Sequence, residues 1–127
     1  MDAGSVLRRC LIVDDNEGFL AAARSSLQRE GLEIVGTATT SIDALEKARQ
    51  LNPEIVLVDI ALGRESGFEL VRRLVDSCPD LRARVVLIST RGEEDFADMI
   101  AESPAAGFIP KIGLSAKAVR ALLADAS

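Results

Sequence analysis

Five short apolar runs, each of four residues or fewer, recur along this chain at residues 10–13, 34–35, 55–58, 85–88 and 108–109. Each is followed by a segment of helical periodicity. That alternation constrains the fold more than any other feature. Strands separated by helical crossovers run parallel to one another, with right-handed connections. The runs at 10–13, 55–58 and 85–88 have no polar interruption, the pattern of strands covered on both faces. The second region, Leu32-Glu33-Ile34-Val35-Gly36-Thr37, is less solidly apolar and suits a sheet edge.

The helical segments are equally regular. Phe19, Leu20, Ala23 and Leu27 form one face of a helix predicted to start near Asn16 and stop at Gly31. Ile42, Leu45 and Ala48 form a second, capped by Thr40 or Ser41 and ended before Pro53. Phe68, Val71, Leu74, Val75 and Cys78 form a third, ended by Pro79. Phe96, Ala97 and Ile100 form a short fourth closed by Pro104, and Ala118, Val119, Leu122 and Leu123 a fifth capped by Ser115. The expected fold class is therefore α/β. It is a flavodoxin-like (βα)5 doubly wound five-stranded parallel sheet in the order 2-1-3-4-5, with residues 1–127 forming one domain.

Composition narrows the function. Apolar residues make up 48% and charged residues 28%, enough to bury a core and too apolar for a disordered chain. The net charge of −5 disfavours nucleic-acid binding by this chain alone. The chain has no histidine, which removes His-based triads, His zinc sites and His acid–base catalysis. Cys10 and Cys78 have no metal or redox spacing and read as buried free thiols in a reducing compartment. No apolar run approaches a membrane span and no signal-peptide core precedes the first strand, so a cytoplasmic location is expected.

In such a sheet ligands bind beyond the carboxyl ends of the strands. Those ends carry Asp14-Asp15 after the first strand, Asp59 after the third, Ser89-Thr90 after the fourth and Lys111 after the fifth. Singly, each has a plain reading: Asp14 or Asp15 as a cap of the first helix, Asp59 as a turn residue, Ser89 as a cap of the fourth helix, Lys111 as a solvated charge. Four such features on one rim argue for a site. Two like charges about 4 Å apart repel by ~4 kcal/mol at an effective dielectric near 20. Three clustered carboxylates thus call for a counter-ion or strongly raised pKa values; Lys111 supplies one positive charge, and a hard divalent cation such as Mg2+ suits oxygen ligands and keeps positions open for a phosphoryl group. Lys111 and a hydroxyl can hold the other phosphoryl oxygens, and a carboxylate can be the nucleophile.

LIVDDN (11–16), VLVDIALGRESGFEL (56–70), VVLIST (85–90) and AAGFIPK (105–111) together resemble the receiver domain of two-component response regulators, over nearly the whole chain. The resemblance implies that Asp59 is the phosphoacceptor and that Asp14 and Asp15 hold Mg2+, Asp15 more directly. It further implies that the Ala61 backbone carbonyl is another metal ligand. By the same resemblance Ser89 is the hydroxyl that swings toward the phosphoryl group, Lys111 pairs with a phosphoryl oxygen, and Phe108 is the aromatic switch. The resemblance also implies that Ala61 and Arg91 flank the path of attacking water. Two positions depart from the family pattern: Gly63 stands where proline is usual, four residues after the phosphoacceptor, which is expected to loosen that loop, and Ile112 follows the lysine where proline is frequent.

The function expected is a phosphorylation-controlled switch, a phosphorelay component fed by a histidine kinase or a histidine phosphotransfer protein. It acts on nothing but its own phosphorylation and dephosphorylation. A homodimer or an effector would use the face of the fourth helix, fifth strand and fifth helix. No output domain is expected in this chain, and the AGFIPK ending resembles receivers that precede helix-turn-helix domains. The alternative is the N-terminal receiver part of a longer DNA-binding transcriptional regulator. Two other readings fare worse. A Mg2+-dependent phosphatase acting through an aspartyl-phosphate needs a second Asp where Ala61 stands, and a flavin module needs a Gly- and hydroxyl-rich loop where Asp14-Asp15-Asn16-Glu17 stands.

Overall fold

Ile55, Val56, Leu57 and Val58 have no measurable solvent exposure, so the third strand is covered on both faces. The computed structural model describes residues 8–126. Its main sheet contains β1 (Arg9–Val13), β2 (Glu33–Ala38), β3 (Ile55–Asp59), β4 (Val85–Ser89) and β5 (Gly107–Pro110). All neighbouring strands pair parallel, in the spatial order 2-1-3-4-5 expected from the alternation.

Side chains of a strand alternate between faces, and that alternation divides the core into two layers. Leu11, Val13, Val56, Val58, Val85 and Leu87 point to one side and meet α2 (Ser41–Leu51) and α3 (Gly67–Ser77). Cys10, Ile12, Ile55, Leu57, Val86 and Ile88 point to the other and meet α1 (Glu17–Arg29) and α5 (Ala116–Ala126). The edge strand β2 reads less clearly because its register with β1 shifts between Cys10 and Leu11. There Gly36 lies under Leu51, and a Cβ would stand 2.8 Å from that side chain.

The helix starts follow the side-chain caps. Asn16 accepts the Phe19 amide at 3.0 Å, so neither Asp14 nor Asp15 caps α1. Thr40, rather than Ser41, caps α2 by accepting from Asp43, and Ser115 accepts the Ala118 amide at 3.0 Å at the start of α5. The fourth helix is the least anchored. A 3-10 turn (Glu93–Phe96) leads into α4 (Ala97–Glu102), which has no side-chain cap and no buried residue. Ser89 therefore does not cap it. At the opposite end of the sheet, the Glu54 carboxylate accepts the backbone N–H groups of Arg8 and Arg9 at 2.8 and 2.9 Å, which holds its pKa below the usual value.

Both cysteines are free, but only Cys10 is buried, and burial pushes its thiol up to about 12. Cys78 is half-buried, contrary to expectation, because it lies past the last turn of α3 as its C-cap. No helix among the described residues is long and apolar enough to cross a membrane.

Candidate phosphoryl-transfer site

Parallel pairing brings the ends of β1, β3, β4 and β5 to one rim, and the polar residues predicted there do meet. Asp14, Asp15 and Asp59 each bring a carboxylate oxygen to within 4.8 Å of the others. Asp14 is buried, its Oδ1 accepting the Asn16 amide at 2.8 Å, while Asp15 is exposed to solvent. Lys111 is not a solvated charge. Its Nζ lies 2.6 Å from Asp14 Oδ2 and 3.4 Å from Asp59 Oδ2, with the side chain only 13% exposed.

The position of Asp59 depends on a close backbone approach. The Gly67 amide donates to the Ile60 carbonyl at 2.7 Å, where α3 begins. A Cβ on Gly67 would stand 2.0 Å from the Asp59 carbonyl oxygen, so the residue there must be glycine. Asp59 Oδ1 accepts the Ala61 amide at 3.3 Å. Burial, reinforced by the neighbouring Asp14 charge and opposed by Lys111, pushes the Asp59 carboxyl up to about 6.

The donor set fits a hard cation. All three groups offer oxygen, one ammonium offsets only one of three charges, and the buried Asp14 Oδ2 makes no aligned hydrogen bond. Oxygen ligands of this kind suit Mg2+ or Ca2+ better than a softer metal.

The hydroxyl pair at the end of β4 divides cleanly. Ser89 is buried, and its Oγ accepts the Arg91 amide at 3.0 Å; Thr90 and Arg91 are exposed. Phe108 lies one strand over, paired with Leu87 and half-buried against the core layer that includes Phe96 and Ile100. It is thus neither a fully enclosed core residue nor a solvated one.

Two features escaped the reading of the sequence. Phe19, in the first turn of α1, lies beneath Lys111, with Nζ 4.3 Å from the ring centre. The only sequence signal is its place three residues after the capping Asn16. The segment after Asp59 also forms a small antiparallel hairpin, Ala61–Leu62 paired with Glu65–Ser66. Gly63 opens its two-residue turn at φ +61, a conformation that proline cannot adopt. The glycine departure therefore changes the loop shape rather than loosening it.

Residues 10–122 match the response regulator receiver domain family. The response regulator GacA of Pseudomonas viridiflava is 33% identical over 119 residues, covering 90% of this chain and 53% of that protein. A virulence-factor transcription regulator of Bordetella pertussis, BvgA, is 33% identical over 103 residues, covering 81% of this chain and 48% of its own. The chain thus spans about half the length of these relatives. A solved response regulator from Burkholderia pseudomallei, carrying a phosphorylated aspartic acid, a calcium ion and citrate, superposes with a TM-score of 0.77 at 28% identity. That match covers 91% of this chain and 66% of the other.

Proposed function

This chain belongs to the response regulator receiver domain family, and on that premise we propose that it takes a phosphoryl group onto Asp59, with Mg2+ held by Asp14, Asp15, Asp59 and the Ala61 backbone carbonyl. The observation that carries this reading is the convergence of three carboxylates on one ammonium at the strand ends. An Asp59 carboxylate oxygen attacks the phosphorus of a phosphohistidine donor. The P–N bond breaks, its electron pair stays on the imidazole nitrogen, which takes up a proton from solvent, and an acyl phosphate forms on Asp59. The cation supplies charge neutralisation for the phosphoryl oxygens. Lys111 pairs with one phosphoryl oxygen and the Ser89 hydroxyl donates to another.

The donor is a histidine kinase or a histidine phosphotransfer protein, and the output is a switch rather than turnover of an external substrate. Ser89 leaves its Arg91 contact to reach the phosphoryl group, and Phe108 moves inward beside β4. The surface of α4, β5 and α5 then meets a second copy or an effector. The relative named as a transcription regulator favours gene control as the process served.

Titration with Mg2+, wild type against Asp15→Asn, tests the centre of this reading. The account predicts weaker binding in the variant because one charged ligand oxygen is lost; equal affinity contradicts the metal assignment.

A further inference from the structure

Glu65 joins the hairpin beside the acidic cluster to a distant helix. Its Oε1 accepts the backbone N–H of Ser41 at 2.9 Å, at the start of α2. That amide lies in the first turn, where helix N–H groups have no partner within the helix. Thr40 takes the neighbouring Asp43 amide, so the two side chains divide the first turn of α2 between them.

The same hairpin is held at three further points. Leu62 is buried in the core layer under α2 and α3. The strand pairs Ala61↔Ser66 and Leu62↔Glu65 fix its two arms together. At its base, the Gly67 amide bonds to the Ile60 carbonyl. The turn itself lies against the acidic cluster: a Cβ at Gly63 would stand 3.4 Å from Asp15 Oδ2. Leu62 anchors the first arm, and the Glu65 bond anchors the second.

We propose that Glu65 is a positioning residue for the cation site: by tying the second arm of the hairpin to α2 it restrains, through the strand pairing, the first arm that carries the Ala61 carbonyl. This rests on the metal reading given above. Glycine forms the turn, and an acceptor on the following arm supplies the restraint from outside the loop.

The test compares Glu65→Ala, Glu65→Gln and Asp15→Asn with wild type, using amide hydrogen exchange without metal and Mg2+ titration followed by amide resonances. Glu65→Ala is expected to speed Ser41 amide exchange by roughly tenfold and to weaken Mg2+ binding by about threefold, the scale of one lost hydrogen bond. Glu65→Gln keeps an acceptor while removing the charge, and should retain both properties. Glu65→Ala with faster Ser41 exchange but unchanged Mg2+ affinity would reduce Glu65 to a helix cap and overturn the proposal. Equal Mg2+ losses in Glu65→Ala and Glu65→Gln would also overturn it, by assigning the effect to charge alone. Unchanged affinity in Asp15→Asn would instead remove the metal reading on which it stands.

Discussion

Lys111 Nζ stands 2.6 Å from Asp14 Oδ2, so the ammonium is engaged chiefly with the buried carboxylate that follows β1 and only at 3.4 Å with Asp59. A bound divalent cation and this ammonium therefore compete for the same negative charge. Replacing Lys111 with alanine is expected to tighten Mg2+ binding, by at least about threefold, because a positive charge beside the cation is lost. The same variant should accept a phosphoryl group more slowly, since one oxygen contact is missing. Calorimetry with Mg2+ checks the first half, and weaker binding in Lys111→Ala would contradict it.

The raised Asp59 carboxyl carries a pH signature. Its ordinary value of 3.8 applies to the unfolded chain, while the folded value is about 6. The folded state holds the proton more tightly, so its contribution to stability is complete below pH 3.8 and is lost as the pH rises through about 6. In metal-free buffer at pH 7, Asp59→Asn should therefore be more stable than wild type by about 1–2 kcal/mol, after allowance for solvent screening. The difference should close below pH 4. Urea unfolding in chelator at the two pH values measures it, and a less stable Asp59→Asn at pH 7 would refute the electrostatic reading.

Gly67 offers a steric test. A Cβ there meets the Asp59 carbonyl oxygen at 2.0 Å and the Ile60 Cα at 2.8 Å, both backbone atoms that cannot swing aside. Gly67→Ala should destabilise by roughly 2–3 kcal/mol and should also weaken Mg2+ binding, because Asp59 must shift. Thermal unfolding and a Mg2+ titration report the two effects. A variant of wild-type stability would mean that the start of α3 is not packed as described.

Much of this was legible in the sequence because the strongest signals are local. The uninterrupted run 55–58 had to be a doubly covered strand, and Asp59 then had to lie at its carboxyl end. The convergence of Asp14, Asp59 and Lys111 followed from parallel topology alone. What escaped depends on contacts between distant residues or on very short elements. The Ala61–Leu62 and Glu65–Ser66 arms are too short to show strand periodicity, and Gly63 could be read as a looser loop as easily as a turn. The Phe19 ring under Lys111 joins α1 to the turn after β5 and leaves no trace in spacing. Cys78 looked buried because it continues the apolar face of α3, yet the helix ends just before it.

The thin anchoring of α4 predicts where a signal goes. Phe96 and Ile100 are half-buried, no residue of α4 is fully buried, and Phe96 meets Phe68 with ring centres 6.2 Å apart. Beryllofluoride with Mg2+, a mimic of the phosphoryl group, should shift the amides of residues 91–100 and Phe108 more than those of the buried strand β3. Amide-resolved NMR provides the reading. Shifts confined to Asp14, Asp15, Asp59 and Lys111 would contradict an output through this face.

The acceptor assignment itself is tested most directly by intact mass after exposure to a small phosphodonor and Mg2+, wild type beside Asp59→Asn. The account predicts that wild type gains one phosphoryl group, that hydroxylamine removes it as it removes an acyl phosphate, and that Asp59→Asn gains none. A hydroxylamine-resistant label, or one mapping to Ser89 or Thr90, would contradict it.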